Sequence, residues 1–176
     1  MTQADTLFEQ ILRLKNSAKY PPVHLWEPEH EGQIDIRIDA DGTWFHEGRP
    51  FRRQPLVKLF AGIMRREGDA YFLVTPGEKL RITVADVPFI AIDMEVRHRP
   101  AGSDLLFTTN VEDYVLVDQD HPVQMRNGRP YLTVRDGLEA RLTRSVFYRL
   151  VEEGREEQHT LAVYSQGTRF ELGATR

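Results

Sequence analysis

The 176-residue chain contains no cysteine. Disulfides, zinc–thiolate sites and thiol nucleophiles are therefore excluded outright. Long hydrophobic runs are missing as well. The opening stretch MTQADTLFEQILRLKNS carries acidic residues and does not read as a secretory signal, and no later stretch is apolar enough to span a membrane. A cytoplasmic setting is the expectation. There is no basic excess: 23 Lys and Arg stand against 27 Asp and Glu, for a formal net charge of −4. That argues against a general nucleic-acid binder. The long Gly-rich phosphate loop, the dinucleotide fingerprint and the G-x-S-x-G nucleophile elbow are absent, so no motif names a reaction. None of the six histidines, His24, His30, His46, His98, His121 and His159, pairs with another at the helical spacing of a zinc protease. No tightly bound metal and no cofactor is expected.

What is present is an ordinary globular mix, 40% hydrophobic and 28% charged. This length accommodates one sizeable domain or two small ones sharing a core. Leu7, Phe8, Ile11, Leu12 and Leu14 make one apolar stripe, predicting a helix over 5–17 with Asp5 as its N-cap. A Pro-rich arm follows, KYPPVHLWEPEHEG, in which Pro21, Pro22 and Pro28 favour extended backbone. From Ile34 the period becomes two. Ile34, Ile36 and Ile38 alternate with polar residues, and TWFH and RPFRR read as the next strands of a meander, with turns at Asp41-Gly42 and Glu47-Gly48. Pro55 opens a second helix whose face is Leu56, Leu59, Phe60, Ile63 and Met64, with Gly68 as its stop. AYFLVT, KLRITV and FIAIDMEV follow as strands.

The stretch EGRPF at 47–51 returns as NGRPY at 127–131, with Gly128 falling 80 positions after Gly48. Upstream, IDAD and VDQD are offset by 79; downstream, each copy runs into an amphipathic helix. The second helix, at 140–153, uses Leu142, Val146, Phe147, Leu150 and Val151 and ends at Glu153-Gly154, 86 positions after Gly68. Gly77 and Gly167 in the following turns are offset by 90. An offset that grows in steps at loops indicates duplication with surface insertions. The expected fold is α+β: two related β-rich subdomains, each strand–strand–strand–helix–strand–strand, preceded by the N-terminal helix. The divisions are 1–31 for the helix and arm, 32–100 for the first repeat and 101–176 for the second.

Several groups of residues bear on chemistry. Asp39 with Asp41, and Asp118 with Asp120, could grip a cation, but they sit where Asp bonds its own turn backbone. The calcium-loop template fails, because aligning its glycine on Gly42 puts Arg37 at the first ligand position. The segment HLWEPEH brings His24, Glu27, Glu29 and His30 into a short span that could bind metal, but a solvated polar arm is the preferred reading. None of Ser17, Ser103, Ser145 and Ser165 stands in a local catalytic arrangement. A basic set, Arg49, Arg52, Arg53, Lys58, Lys79 and Arg81, suits phosphate oxygens or a solvated ion-paired face. Of the aromatics, Trp26 stands out, since an arm residue can close over a groove, whereas Trp44, Tyr71, Tyr131 and Tyr148 suit packing.

The run from PPVHLWEPEHEG through VTPGEKLRITVADVPF, then LLFTTN, DQDHP and GRPYLTVRDGLEARLTR, resembles a bacterial family designated domain of unknown function 1285. The resemblance covers nearly the whole chain. It implies a two-part fold with internal duplication and a C-terminal part loosely like a pleckstrin-homology fold. It also implies a ligand site where the halves meet, for a nucleotide-like molecule, and a role in signalling. Beside it, the residues themselves support a small-ligand-binding module. Its expected ligand-binding residues are Trp26, Arg52, Thr75, Glu78, Lys79, Thr108, Thr109, Asn110, His121 and Arg135. Lys79 or an arginine would meet an anionic group, Thr109 and Asn110 would give directional hydrogen bonds, and Trp26 a stacking face. The alternatives are a protein-interaction adaptor and a hydrolase with His121 as base beside Asp118 and Asp120. The expected partners are a nucleotide-like small molecule or a signalling protein, without membrane or general nucleic-acid binding.

Overall fold

The structure is a computed structural model and describes residues 20–176. The helix expected over 5–17 lies outside them. Among the described residues there are two α-helices, one 3₁₀ turn (Val23–Leu25) in the Pro-rich arm, and fifteen strands. The first half comprises β1 (His30–Ile38), β2 (Trp44–His46), β3 (Arg49–Phe51), α1 (Gln54–Gly62), β4 (Met64–Glu67), β5 (Ala70–Val74) and β6 (Glu78–Val84). These strands form one sheet in the order β3-β2-β1-β6-β5-β4, with β1 and β6 as a parallel pair at its centre.

The second half begins with β7 (Phe89–Arg99), β8 (Gly102–Thr109), β9 (Tyr114–Leu116), β10 (Val123–Arg126), β11 (Arg129–Arg135) and β12 (Leu138–Leu142). They form a second sheet in the order β10-β11-β12-β7-β8-β9, again with one central parallel pair, β12 and β7. Each sheet is thus two antiparallel meanders, joined where the first strand of one lies parallel to the last strand of the other. Then come α2 (Arg144–Glu152), β13 (Arg155–Glu157), β14 (Thr160–Ser165) and β15 (Thr168–Ala174), the three strands making a small antiparallel sheet. In this closing section β14 lies against β8, β15 against β10, and α2 against β7 and β14.

Two β-rich halves therefore stand, but the repeat differs from the expected unit. Three strands follow each helix where the pattern predicted two, because β4 and β13 are too short to show an alternation. A hairpin, β11–β12, precedes α2, so α1 follows an edge strand and α2 a central one. The sheets match β1–β6 with β7–β12, and the two Gly-Arg-Pro turns fall at different places in them. Strand β7, assigned by spacing to the first repeat, is hydrogen-bonded into the second sheet.

Locally the repeated turns are the same object. Glu47 and Gly48 have φ of 51° and 77°, Asn127 and Gly128 of 51° and 73°. Positive φ at both central residues is the two-residue hairpin turn whose twist suits the flanking strands. Pro50 then pairs with Phe45, and Pro130 with Met125, at the same step after each turn. The aspartates do turn work as well. Asp41 Oδ1 accepts from the Thr43 N–H at 3.0 Å, and Asp118 Oδ1 from those of Asp120 and His121 at 3.0 and 2.8 Å.

Both helices are shorter than expected. Helix α1 ends at Gly62, and Gly68 belongs to the β4–β5 turn. Ile63 and Met64 continue the helical spacing, but Met64 is buried as the first residue of β4, paired with Leu73. Leu59, expected on the apolar face, is 61% exposed, while Val57 and Ala61 are buried. Helix α2 starts after Leu142, which ends β12; Thr143 caps it by accepting from the Val146 N–H at 3.2 Å. Val146 and Leu150 face inward. One continuous core joins the halves: Ile36, Trp44 and Val57 from the first share it with Phe89, Leu132 and Leu150 from the second. Among the described residues no helix is long and apolar enough to cross a membrane.

Candidate functional site

Where the halves meet, polar side chains reach across from both. Gln54 at the start of α1 donates to the Asn110 carbonyl at 2.8 Å, and Asn110 Oδ1 accepts from the Ile90 N–H at 2.9 Å. Thr109 is fully buried, its Oγ1 accepting from the Asp113 N–H at 3.0 Å. Thr109 thus braces the β8–β9 turn from within, and Asn110 ties that turn to α1 and to β7. Lys58 on α1 pairs with Glu112 of that turn. Arg135 on β11 donates to the Ala61 carbonyl at 2.8 Å, at the end of α1 where a cation complements the helix dipole. Its guanidinium lies 4.1 Å from the Tyr20 ring centre and 3.9 Å from the buried Asp113 carboxylate. Burial pushes the Arg135 pKa down from its ordinary value. On the far side of the seam Glu139 takes Arg126 at 2.6 Å and Arg66 at 3.2 Å.

Beside this seam is a cleft of about 320 Å³. Its walls are Tyr20 and Pro21 from the arm, Pro55, Leu59 and Ile63 from α1 and its end, and Val111 from the second half, with Lys58 as the charged residue among them. The volume is at the lower end of the range for small-molecule sites, and the apolar lining with few polar groups is typical of them.

Trp26 and Lys79 belong to a different place, the contact of the arm with the first sheet. Arg65 on β4 fastens the arm, donating to the carbonyls of Val23 at 3.0 Å and Trp26 at 2.7 Å. Lys79 on β6 lies 2.9 Å from Glu31 and 3.0 Å from Glu67, with the Phe72 ring centre at 4.8 Å. Hydrogen bonds to Glu31 and Glu67 raise the Lys79 pKa, and the bond to Lys79 lowers that of Glu67. These groups, with Glu27 and Pro28, line a polar cleft of about 270 Å³. Lys79 already has two carboxylates, so its charge is not held open for an anion.

Thr75 and Glu78 are exposed on the β5–β6 turn, where Thr75 Oγ1 accepts from the Glu78 N–H at 3.1 Å. Arg52 is exposed, and His121 is half-buried with its Nδ1 2.7 Å from Asp118 Oδ1; neither lines either cleft. Thr108 is half-buried opposite Tyr114. The ten residues thus divide. Thr109, Asn110 and Arg135 meet at the seam, Trp26 and Lys79 gather at the arm with Thr75 and Glu78 on the adjoining turn, and the other three stand elsewhere. Spacing gave no sign of Tyr20, Val111 or Asp113. The alternation of Met64 with Arg65 is the one pattern that could have marked Arg65 as a side chain opposite the core. Among the described residues no three His, Asp or Glu converge into a metal cage.

Two six-stranded sheets of one topology, a shared core and a seam cleft define a two-part β-rich α+β protein. Family models match both parts: the N-terminal domain of DUF1285, a domain of unknown function, over residues 21–87, and the C-terminal domain of DUF1285, a protein of unknown function, over 88–172. The chain belongs to the DUF1285 family. The division at 87/88 falls between β6 and β7, where one sheet gives way to the other. The chain is similar to the crystal structure of a DUF1285 family protein from Silicibacter pomeroyi DSS-3. The two are 42% identical, with 93% of this chain and 94% of that one covered and a TM-score of 0.84. A DUF1285 family protein from Shewanella baltica OS155 is 32% identical over 66% of this chain and 90% of that one, with a TM-score of 0.56. No curated protein matches the chain.

Proposed function

We propose that the protein is a small-ligand-binding module acting in signalling, and that its site is the seam cleft. The observation that carries this reading is the cleft itself, apolar, walled by both halves, and bearing Lys58. Its ligand class is a ring-bearing small molecule with an anionic group, which includes aromatic carboxylates and nucleotide-like compounds. Tyr20, Pro21 and Val111 would contact the ring. Lys58 would exchange its contact with Glu112 for the anion, and because that contact links α1 to the β8–β9 turn, binding would be felt by both halves. Arg135 supports the site from behind through Ala61. The second half, with a small sheet laid against β8 and β10 and α2 packed across, is proposed as the pleckstrin-homology-like part; a signalling role comes with that resemblance.

The test is a thermal-shift screen of nucleotides and aromatic carboxylates, repeated on Lys58→Ala and Lys79→Ala. A ligand at about a hundredfold excess over its dissociation constant stabilises the folded chain by roughly 2.7 kcal/mol. The shift should be lost in Lys58→Ala and kept in Lys79→Ala. The reverse pattern would move the site to the arm, and no response to any compound favours the adaptor reading. The adaptor has its own support in the exposed large apolar residues Leu25, Leu59, Ile92 and Tyr148 among the described residues. The hydrolase reading has less. Asp118, beside His121, also caps a turn, and the described serines are engaged elsewhere, Ser103 with His98, Ser145 with Thr143 and Ser165 with Leu105.

A further inference from the structure

The arm that precedes β1 reaches both clefts. Tyr20 and Pro21 are a wall of the seam cleft, and Glu27 and Pro28 line the polar cleft at the arm's other end. Between them the backbone closes on itself: the Val23 N–H donates to the Pro21 carbonyl, Leu25 to Pro22 and Trp26 to Val23. Among the described residues no backbone hydrogen bond ties 21–28 to the rest of the molecule, and Val23 is the one buried residue of that stretch. A segment with so little buried surface and no ladder bonds opens more readily than the sheet beneath it. Its attachments are side chains. Arg65 Nη1 donates to both the Val23 and the Trp26 carbonyl, and the Arg135 guanidinium lies against the Tyr20 ring. Arg65 Nε, in contrast, is buried without a hydrogen-bond partner among the described residues. Closing the arm therefore leaves one donor unmet, a cost that opening removes.

We infer that residues 20–28 are a strap over the seam cleft, latched by Arg65, and that the cleft admits its ligand when the strap lifts. The inference rests on the proposed function of that cleft and adds how access to it is controlled. Gly62, at the end of α1, shows the cover. It is buried, and beyond its own helix and chain neighbours the atoms that a Cβ there would meet within 4 Å are those of the Tyr20 ring, at 3.5 and 3.9 Å. The latch stands three residues further on, at Arg65 in β4. Arg65 does not line the seam cleft; it is a positioning residue that acts through the strap. The hinge is Glu27 to Glu29, the irregular stretch between the 3₁₀ turn and β1. The polar cleft of about 270 Å³ beneath it leaves room for movement. Beyond the hinge the chain is fixed, because Glu31 is paired with Lys79 in the β1–β6 ladder and by its side chain. Lifting the strap therefore leaves the sheet intact.

Because the chain has no cysteine, Gly62→Cys introduces a single thiol beneath Tyr20. Its reaction with an aromatic disulfide reagent should be slow in the otherwise unaltered full-length chain, since the thiol waits on local opening. Adding Arg65→Met should accelerate it by about tenfold or more, and Arg65→Lys, which can still reach a carbonyl, by less. A thiol in the shared core, Ala140→Cys, should stay protected beside Arg65→Met, showing that the core remains closed. Ala61→Cys, in the same cleft wall, serves as the thiol site if Gly62→Cys does not fold. A fast reaction before Arg65 is changed, an equally slow one after, or an equal acceleration at Ala140→Cys would each overturn the strap. No ligand enters this test, so its failure is distinct from that of the thermal screen. A Lys58-dependent hit with a thiol rate indifferent to Arg65 keeps the ligand site and removes the strap. A silent screen with an Arg65-dependent rate removes the ligand reading and keeps the strap as a cover.

Discussion

Arg135 sits where β11, the end of α1 and the arm come together. It has one strong hydrogen bond, to the Ala61 carbonyl, and two aromatic neighbours, Tyr20 and Phe89. Replacing it with Met keeps much of the stem but removes a cation 3.9 Å from the buried Asp113 carboxylate. The expected cost is roughly 3 kcal/mol, the scale for breaking a buried ion pair. Urea denaturation measures it; a loss below about 1 kcal/mol would put the pair in the class of surface contacts. At the arm, the prediction concerns pH. The Glu67 pKa lies below its ordinary 4.5, so its contribution is fully present above that value and is lost as pH falls through the folded one. Lys79 is raised above 10.5, so its contribution is present below that value and is lost as pH rises through the folded one. In a Trp44→Phe background, which also removes a buried indole N–H without a partner, Trp26 fluorescence should be flat between these limits and change outside them. A transition near neutral pH would contradict the pairing. The sequence offered Lys79 either to phosphate oxygens or to an ion-paired face, and the identity of its partners was not legible there. Its partners come from β1 and β4, which only the folded sheet brings to it.

At the scale of elements, the repeated hairpins give a clean comparison. Gly48 and Gly128 share nearly the same positive φ, and a Cβ at either would meet no atom within 4 Å. The cost of Gly48→Ala and of Gly128→Ala is therefore conformational alone, roughly 1–2 kcal/mol, and alike at both positions. Thermal unfolding of the two variants checks this, and costs differing by more than about 1 kcal/mol would show that the turns are not equivalent. The hairpins were legible because a Gly-centred turn followed by Pro is a strictly local signal. The strands β1, β5, β6 and β7 were legible because each is long enough to display a period of two. Strands β4 and β13, at four and three residues, were not, because each follows its helix almost directly, without the flanking turns that marked the equally short β2 and β3. Helix α1 was overextended for a related reason. Ile63 and Met64 satisfy both the helical spacing and the strand that they actually start or join, and pairing with β5 decides between them.

For the molecule as a whole, the sequence exposed the duplication but aligned it on the wrong landmark. The tripeptide marks one kind of turn used twice, whereas the repetition of the sheets lies in strand order, which has no residue-level signature. The two sheets share one core, so the protein should unfold in a single transition, with calorimetric and van't Hoff enthalpies in agreement. Two separable transitions would mean that the seam is a contact between independent domains. The seam cleft was the least legible feature, because its walls come from the arm, α1 and the β8–β9 turn and it depends on their packing. Its role as the ligand site is the central claim, and mapping backbone amide shifts during titration with a hit from the thermal screen tests it most directly. The expected result is a cluster of perturbed amides drawn from both halves, at Tyr20, Lys58, Ile63 and Val111. Perturbation confined to Glu31, Glu67 and Lys79, or spread over the exposed face around Arg52, would contradict it.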